Sequence, residues 1–175
     1  MTPIVLETER LILRMWREDD FEQYAKICAD PEVMRFLGGK PFSLTESWRH
    51  MASMIGHWHL RGYGQWVVEE KGSGKLLGRL GFLNPAGWPG FEIGWTLGRE
   101  HWGKGFATEG ARRALDYAFT ELDKTHVISC IHPENSPSIR VAERLGEKLE
   151  GESEILGIKV LVYGVDRPSH FPSII

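Results

Sequence analysis

The sequence predicts a single α/β (α+β) domain built on a mixed, mostly antiparallel central sheet of about six to seven strands flanked by about four helices. Its 175 residues suit one domain, spanning 1–175, with enough chain to bury a sizeable core. The hydrophobic period switches along the chain between two residues, typical of strands, and 3.6 residues, typical of helices. Because predicted hairpins alternate with predicted crossovers, parallel and antiparallel pairs should share one sheet.

The N-terminal part of the chain contributes one strand and two helices. Alternating apolar and polar side chains predict the strand. A short helix begins where Asp19 is followed three residues later by Glu22, a spacing typical of a helix N-terminus. Ser43 and Glu46 form a capping box at the start of a longer helix, which stops near Gly62. The predicted bounds are 10–16 for the strand, 19–30 for the first helix and 43–62 for the second.

The rest of the chain carries six predicted strands and two predicted helices. The turn 71–75, with two glycines, joins the first two of these strands as a hairpin. Alanine and leucine recur at helical spacing in one helix, while Pro137 and Gly146 are placed for the start and the end of the other. The strands are predicted at 65–70, 76–83, 91–97, 126–132, 148–153 and 157–166, and the helices at 104–122 and 135–146.

Composition and charge exclude several classes of protein. Lys and Arg number 21 against 24 Asp and Glu, a net charge of −3 without a basic run, which argues against nucleic-acid binding through bulk electrostatics. Acidic residues interrupt the first ten positions, so this segment is predicted to be neither a signal peptide nor a membrane span. Cys28 and Cys130 are far apart, and two buried thiols are favoured over one disulfide. We therefore expect a cytoplasmic protein that binds neither nucleic acid nor membrane.

The most informative segment is Gly98-Arg-Glu-His-Trp-Gly-Lys-Gly-Phe-Ala-Thr-Glu109, between a predicted strand and a predicted helix. Its glycines free the backbone, and the helix N-terminus aims several N–H groups and the positive end of the helix dipole at one point, which predicts an anion site. A P-loop would need Ser or Thr after Lys104, where Gly105 stands, and a dinucleotide fingerprint would need glycine where Thr108 stands. A P-loop nucleotide binder is therefore the weaker alternative.

The run Trp102-Gly-Lys-Gly-Phe-Ala107 resembles the pyrophosphate-binding loop of the GNAT superfamily of acyl-CoA-dependent N-acetyltransferases. Three further segments follow the same pattern in the right order. The resemblance thus covers essentially the whole chain, and it is to the RimJ/RimL-type branch, which acetylates ribosomal-protein and other amino termini. The four segments are 30–37, 92–95, 102–109 and 135–146. The predicted order of strands and helices is also that of the GNAT fold.

The resemblance implies an acyltransferase that moves the acetyl group of acetyl-CoA directly to a primary amine, with a protein or peptide N-terminal amine as the expected acceptor. Small-molecule amines, such as polyamines or antibiotics, are the alternative acceptors. A non-catalytic acyl-CoA-binding sensor is the alternative from another class. The connection 31–42 is expected to border the acceptor, and a homodimer is an open expectation because dimers are common in the family.

By the same resemblance, loop 103–107 donates N–H bonds to the pyrophosphate of coenzyme A, without a metal. Strand 94–97 pairs with the pantetheine arm, a backbone N–H there polarises the thioester carbonyl, and Asn135 holds the pantetheine. The implied cosubstrate-binding residues are Trp95, Thr96, Leu97, Trp102, Gly103, Lys104, Gly105, Phe106, Ala107, Thr108, Asn135 and Ser138. His57 and His59, two apart on a helix, point to different faces, so no metal site is predicted.

Two proton transfers complete the expected chemistry. Glu92 is the candidate base that takes a proton from the incoming ammonium, through water, and the alternative is a solvated carboxylate on an ordinary strand. Many superfamily members protonate the leaving thiolate with a tyrosine, but Ala142 occupies that position, so Ser138 is the candidate acid. A hydroxyl that caps the first helical turn is the alternative for Ser138. His132 is an alternative base, and Glu147 replaces the family's phenylalanine, so packing there should differ.

Overall fold

The computed structural model describes residues 4–169, which form eight strands and five helices. The strands are Leu6–Glu7 (β1), Leu11–Arg14 (β2), Gln65–Glu70 (β3), Leu76–Leu83 (β4), Glu92–Leu97 (β5), His126–Ile131 (β6), Lys148–Ile155 (β7) and Ile158–Asp166 (β8). The helices are Phe21–Cys28 (α1), Pro31–Met34 (α2), Leu44–Arg61 (α3), Phe106–Thr120 (α4) and Ser136–Leu145 (α5). Positions 1–3 and 170–175 of the predicted 1–175 domain, including the start of the segment assessed as a leader, lie outside the described residues.

One sheet organises these elements, in the order β1-β2-β3-β4-β5-β6-β8-β7. Neighbouring strands are antiparallel except β5 and β6, which are parallel. The predicted mixed, mostly antiparallel α/β fold is therefore confirmed. Within the described range the sheet has one strand more than the upper prediction, and there is one helix more than the four predicted.

The two additional elements are too short for a periodic signal. β1 has only two residues and pairs with β2 through Leu6↔Leu13 and Glu7↔Ile12. α2 is a single turn whose N-cap is Asp30, which accepts a hydrogen bond from the Glu32 N–H at 2.9 Å. The pair Asp30-Pro31 ends α1 as predicted, but the same proline also begins α2, because proline suits the first helical position.

Local capping signals in the sequence proved reliable. Ser43 and Glu46 form the predicted capping box of α3, and Gly62 ends that helix in the left-handed conformation with φ +75°. Gly146 ends α5 in the same way, with φ +89°. These caps fix where each helix enters and leaves the sheet layer.

Apolar side chains cover both faces of the sheet. The α4 face buries the larger cluster, which includes Trp66, Leu80, Phe82, Ile93 and Ala114. The opposite face carries α1 and α3, and there Trp16, Tyr24, Met51, Met54 and Val67 pack together. Burial of these side chains on both faces makes the sheet a rigid support, at about 25 cal/mol for each Å² of apolar surface removed from water.

The sheet opens between β5 and β6. All six residues of β5 pair with β4, whereas a single register pair, Glu92↔Ile128, joins β5 to β6. One residue farther along, the Ser129 hydroxyl reaches the Ile93 carbonyl oxygen at 3.0 Å. From Gly94 onward the two strands diverge, which leaves the β6-side edge of β5 open.

Both cysteines are free thiols. Cys28 is buried and Cys130 is half-buried, so the prediction of two free thiols holds, although only Cys28 is fully buried. In the part of the chain that the structure describes, every helix is too short or too polar to cross a membrane.

Candidate functional site

The open edge of β5 leads directly into the glycine-rich loop. After β5 a 3-10 turn spans Arg99–His101, and the chain then takes left-handed conformations at Gly103, with φ +73°, and Gly105, with φ +82°. Gly105 is the N-cap of α4, and its carbonyl accepts the first helical hydrogen bond, from the Glu109 N–H at 3.0 Å. The N–H groups of the first turn have no intrahelical acceptor and carry the positive end of the helix dipole. The loop therefore has the glycine conformations and the helix N-terminus on which the predicted anion site depends.

Arg10, just before β2, binds this loop. Its Nη1 donates to the Lys104 carbonyl oxygen at 3.0 Å, and its Nε donates to Glu109 at 2.7 Å. Thr8 donates to the same carboxylate at 2.6 Å, and the guanidinium lies 4.5 Å from the ring centre of Phe106. Sequence reasoning missed Arg10, because 94 positions separate it from Lys104 and no local pattern marks the contact.

The indole of Trp102 ties the loop to the end of β5. Its Nε1 donates to the Leu97 carbonyl oxygen at 2.8 Å, while 46% of the residue stays exposed. Of the other predicted cosubstrate contacts, Thr96, Leu97 and Phe106 are buried, Ala107 and Thr108 are half-buried, and Gly103, Lys104 and Gly105 are exposed. All of them line the stretch from the open edge of β5 to the first turn of α4.

The start of α5 faces this edge from the other side. Asn135 is the N-cap of α5, since its Oδ1 accepts from the Ser138 N–H at 3.3 Å. The Ser138 hydroxyl accepts from the Trp95 indole N–H at 3.3 Å, a bond between α5 and β5. The alternative in which the Ser138 hydroxyl caps the helix is therefore wrong, because Asn135 has that role. Trp95, Asn135 and Ser138 meet at the opening between the strands.

Glu92 is buried at the point where β5 and β6 separate. Only 7% of the residue is exposed, so the alternative of a solvated carboxylate is wrong. The Trp88 indole N–H donates to Oε2, and the Cys130 N–H donates to Oε1 at 3.4 Å. Burial raises the pKa of Glu92 to about 7, and these donors together with the charge of Arg79 limit the rise. A carboxyl with such a pKa can exchange a proton near neutral pH.

A second buried carboxyl, Glu147, lies across the strand junction. It is 3% exposed, its Oε1 lies 3.1 Å from the Ser129 hydroxyl, and its Oε2 has no hydrogen-bond partner. Burial raises the pKa of Glu147 to about 8. Because a hydroxyl has one proton, donation from Ser129 to Ile93 leaves its oxygen free to accept from protonated Glu147. Sequence reasoning anticipated different packing at this position but not a buried acid.

The histidines have structural contacts. Nδ1 of His57 lies 2.8 Å from the Tyr63 carbonyl oxygen, and its Nε2 accepts from the Asn84 N–H at 3.1 Å, so both ring nitrogens are used. The rings of His132 and Phe36 are in tilted contact, with their centres 5.0 Å apart, and Nδ1 of His132 accepts from the Glu134 N–H. This contact places the predicted acceptor connection 31–42 beside the end of β6. Between residues 4 and 169, His, Cys, Asp and Glu side chains form no group of three suited to a metal ion.

Comparison with known proteins assigns this architecture. A model of the acetyltransferase (GNAT) domain matches residues 10–148. The chain is 36% identical over 148 residues to the uncharacterized N-acetyltransferase p20 of Bacillus licheniformis, which covers 83% of each chain. The crystal structure of an acetyltransferase from Agrobacterium tumefaciens shares the fold with a TM-score of 0.85 at 31% identity, covering 95% of this chain and 96% of the other.

Proteins with named acceptors also show similarity. The spermidine N(1)-acetyltransferase of Escherichia coli is 28% identical over 142 residues, 80% of this chain and 74% of that enzyme. A ribosomal-protein-S5-alanine acetyltransferase of Vibrio fischeri has a TM-score of 0.73 at 18% identity, covering 97% of this chain and all of the other, which shows a common fold alone.

Proposed function

The chain belongs to the acetyltransferase (GNAT) domain family and is an N-acetyltransferase that uses acetyl-CoA; from that premise we propose that its acceptor is the α-amine at a protein or peptide N-terminus. The observation that carries this proposal is the buried carboxyl of Glu92 at the mouth of the opening between β5 and β6. A base at this point can meet an amine that enters from the α1–α3 side of the sheet.

The donor side of the opening fits a coenzyme A thioester, which supplies the activated acetyl group when bound. Gly103 and Gly105 both have positive φ, and a Cβ at Gly103 would meet no atom within 4 Å, so an anion can approach the backbone closely. The N–H groups of residues 103–107 would hold the pyrophosphate. The open edge of β5 at 94–97 would pair with the pantetheine arm as an additional strand would, and Asn135 would hold that arm from α5.

Glu92 favours an α-amine as the acceptor. An ammonium must lose a proton before its nitrogen can attack, and transfer to a base costs less free energy the smaller the amount by which the pKa of the ammonium exceeds that of the base. The pKa of Glu92 is about 7, while α-amino groups have a pKa of about 7.7–8.0 and alkyl amines of the lysine type about 10.4. The match to an α-amine is therefore close, and a long alkyl amine would leave a gap of more than three units.

Ser138 completes the proposed proton transfers. Its oxygen already accepts from the Trp95 indole, so its own proton is free to be donated toward the leaving thiolate. With Glu92 on one side of the opening and Ser138 on the other, the amine attacks the thioester directly, and no side chain of the enzyme becomes acylated. The backbone N–H groups along the open edge of β5 would stabilise the oxyanion that forms.

A polyamine or another small amine is the second candidate acceptor. The observation in its favour is the similarity to the spermidine N(1)-acetyltransferase of Escherichia coli, at 28% identity over 142 residues. A direct comparison of acceptors separates the two candidates, because the same assay can present a peptide amine and spermidine at equal concentration.

The test is acetyl transfer from acetyl-CoA, followed by mass spectrometry of the acceptor and by release of free thiol. A peptide α-amine should be the better acceptor by kcat/KM, and Glu92→Gln should lower kcat about 100-fold with the KM for acetyl-CoA unchanged. Glu121→Gln, at the exposed end of α4, is the matched control and should behave as wild type. Preference for spermidine would establish the second candidate, and the absence of transfer to either acceptor would refute both.

A further inference from the structure

Arg79 on β4 is a buried cation without a carboxylate partner. The residue is 8% exposed, and its Nη1 donates to Oε1 of Gln65, while its Nε has no hydrogen-bond partner. Among residues 4–169, no carboxylate oxygen lies within 4.0 Å of the guanidinium nitrogens of Arg79. A guanidinium cannot give up its proton in a protein, so this charge has to be balanced by another route.

The side chains on the α1–α3 side of Arg79 are neutral. The Tyr24 hydroxyl lies 2.7 Å from Nδ1 of His50. Burial raises the pKa of Tyr24, and burial with the charge of Arg79 lowers the pKa of His50 to about 3, so neither group is ionised at pH 7. Cys28 is a buried thiol whose pKa burial also raises. The charge of Arg79 also lowers the pKa of a carboxyl, that of Glu92.

Gln65 extends the donor surface toward Glu92. It is 1% exposed, and its Nε2 has no hydrogen-bond partner. A Cβ built on Gly94 would lie 3.1 Å from this Nε2 and 3.7 Å from Oε1 of Glu92. Gly94, which has no side chain, therefore lies between an unpaired amide donor and the candidate base.

The strand register explains this arrangement. Gln65, Gly81 and Gly94 are paired in one row across β3, β4 and β5, and Arg79 pairs with Thr96 in the row two residues along. The two glycines leave their row without side chains beside Gln65. The Gln65 carbonyl accepts from Trp16 at 2.8 Å and from Trp58 at 2.9 Å, bonds that fix the backbone. Because Arg79 holds the amide oxygen, the amide nitrogen is turned toward Gly94.

We propose that Gln65 and Arg79 bind a carboxylate of the acceptor, next to the amine that Glu92 deprotonates. This rests on the proposed function for the position of the amine, and it narrows the acceptor to amines that carry a carboxylate a few bonds away. A peptide that begins with an acidic residue and a free amino acid share this chemistry. The carboxylate accepts from Nε2 of Gln65 and supplies the negative charge that Arg79 lacks.

The same groups disfavour a polycationic acceptor. Each additional ammonium of a polyamine would approach the charge of Arg79 in a site from which water is largely excluded, where like charges repel strongly. A neutral acceptor would leave both the Gln65 amide donor and the guanidinium charge without a partner, which is costly for buried polar groups. A carboxylate satisfies both groups at once.

The test uses two peptides that differ only in whether the first residue is glutamate or glutamine, titrated calorimetrically into protein saturated with CoA. The wild type should bind the glutamate peptide about tenfold more tightly, as expected for hydrogen bonds between charged groups. Equal affinities, tighter binding of the glutamine peptide, or tighter binding of spermidine than of both peptides would overturn the proposal. Free glutamate and free glutamine form a second pair, which identifies whether the carboxylate belongs to a peptide or to a free amino acid.

Variants then assign the preference to the two residues. Arg79→Gln and Gln65→Leu should each abolish the tenfold difference, whereas Arg61→Gln, at the exposed end of α3, should keep it. The comparison of wild-type affinities decides the question even if a variant misfolds. Because CoA carries no acetyl group, the binding preference is measured without turnover. A carboxylate preference without acetyl transfer would refute the proposed function alone, and transfer without preference would refute the carboxylate site alone.

Discussion

Two buried arginines on the same sheet are satisfied in different ways. Arg14 on β2 donates to both oxygens of Asp20, at 2.9 and 2.7 Å, and to Glu69 at 2.5 Å. Arg79 on β4 is equally buried, yet its hydrogen-bond partners, the Gln65 amide and the Tyr24 hydroxyl, are both neutral. The first cation is balanced within the fold, and the second is not.

The difference separates a structural use of charge from a functional one. The Arg14 cluster ties β2 to β3 and to the start of α1, and its bidentate geometry repays the desolvation of three ionised groups. Arg79 is also removed from water, but no ion pair compensates for its desolvation, and it lies near the candidate base. A cost of that kind is retained where a ligand gains from it.

The largest effect is predicted for Arg14→Gln, which tests the difference between the two arginines. This change leaves Asp20 and Glu69 without their cation, and removal of one partner from a buried ion pair costs about 3–5 kcal/mol of unfolding free energy. Urea unfolding at pH 7 measures the loss. Arg79→Gln is the matched variant and should lose less unfolding free energy, because it leaves no buried carboxylate unpaired. Equal losses for the two variants would contradict the distinction between them.

Glu147 is a buried acidic group that can be compared with Arg79. Like Arg79 it is buried without an opposite charge, but a carboxyl can take up a proton and a guanidinium cannot release one. The pKa of Glu147 rises from its ordinary value near 4.5 to about 8 on folding. Between these values the folded protein binds a proton that the unfolded chain has lost, so stability falls as the pH rises.

The second prediction follows from this linkage. Because of Glu147, the unfolding free energy of the wild type should fall by about 2 kcal/mol as the pH rises from 6 to 8. Glu147→Gln should lose this part of the pH dependence, since its amide can donate to the Ser129 oxygen at every pH. Urea unfolding at pH 6, 7 and 8 measures both slopes, and Glu143→Gln, exposed on α5, is the control. Identical slopes in Glu147→Gln and wild type would show that Glu147 is ionised in the folded protein.

The sequence predicted those parts of the molecule whose signals are local. The hairpin signal at the turn 71–75 predicted β3 and β4 with their observed bounds, and Ser43 with Glu46 predicted the start of α3. The glycine-rich loop was predictable for the same reason, because its glycines and the following helix are contiguous in the chain. Glu92 was identified through a resemblance, and its burial became visible only in the fold.

The remaining parts of the site depend on strand register and on distant contacts. Gln65 and Arg79 look like ordinary polar residues within strands, and only the pairing of β3 with β4 brings them together. Glu147 follows a helix end, and nothing nearby in sequence indicates that it packs beneath Ser129. A residue pattern carries no information on such neighbours, because contacts between strands are set by the whole sheet.

The smallest predicted effect concerns how Arg79 acts on Glu92. The positive charge lowers the pKa of Glu92, so Arg79→Gln should raise that pKa. A base works only when deprotonated, and activity therefore rises with pH through its pKa. The acidic limb of kcat/KM should move to higher pH by the same amount, so that the variant loses most activity below pH 7.

Two further variants decide what that shift means. Arg79→Lys keeps the positive charge without the guanidinium fork, and its limb should stay near the wild-type position, whereas Arg61→Gln removes an exposed charge and should change nothing. An unmoved limb in Arg79→Gln would show that the charge does not reach Glu92 and would confine Arg79 to contact with the acceptor. A shifted limb together with a lost preference for the glutamate peptide would mean that one buried cation serves two purposes. It would prepare the base for a proton near neutral pH, and it would select the acceptor that restores the missing negative charge.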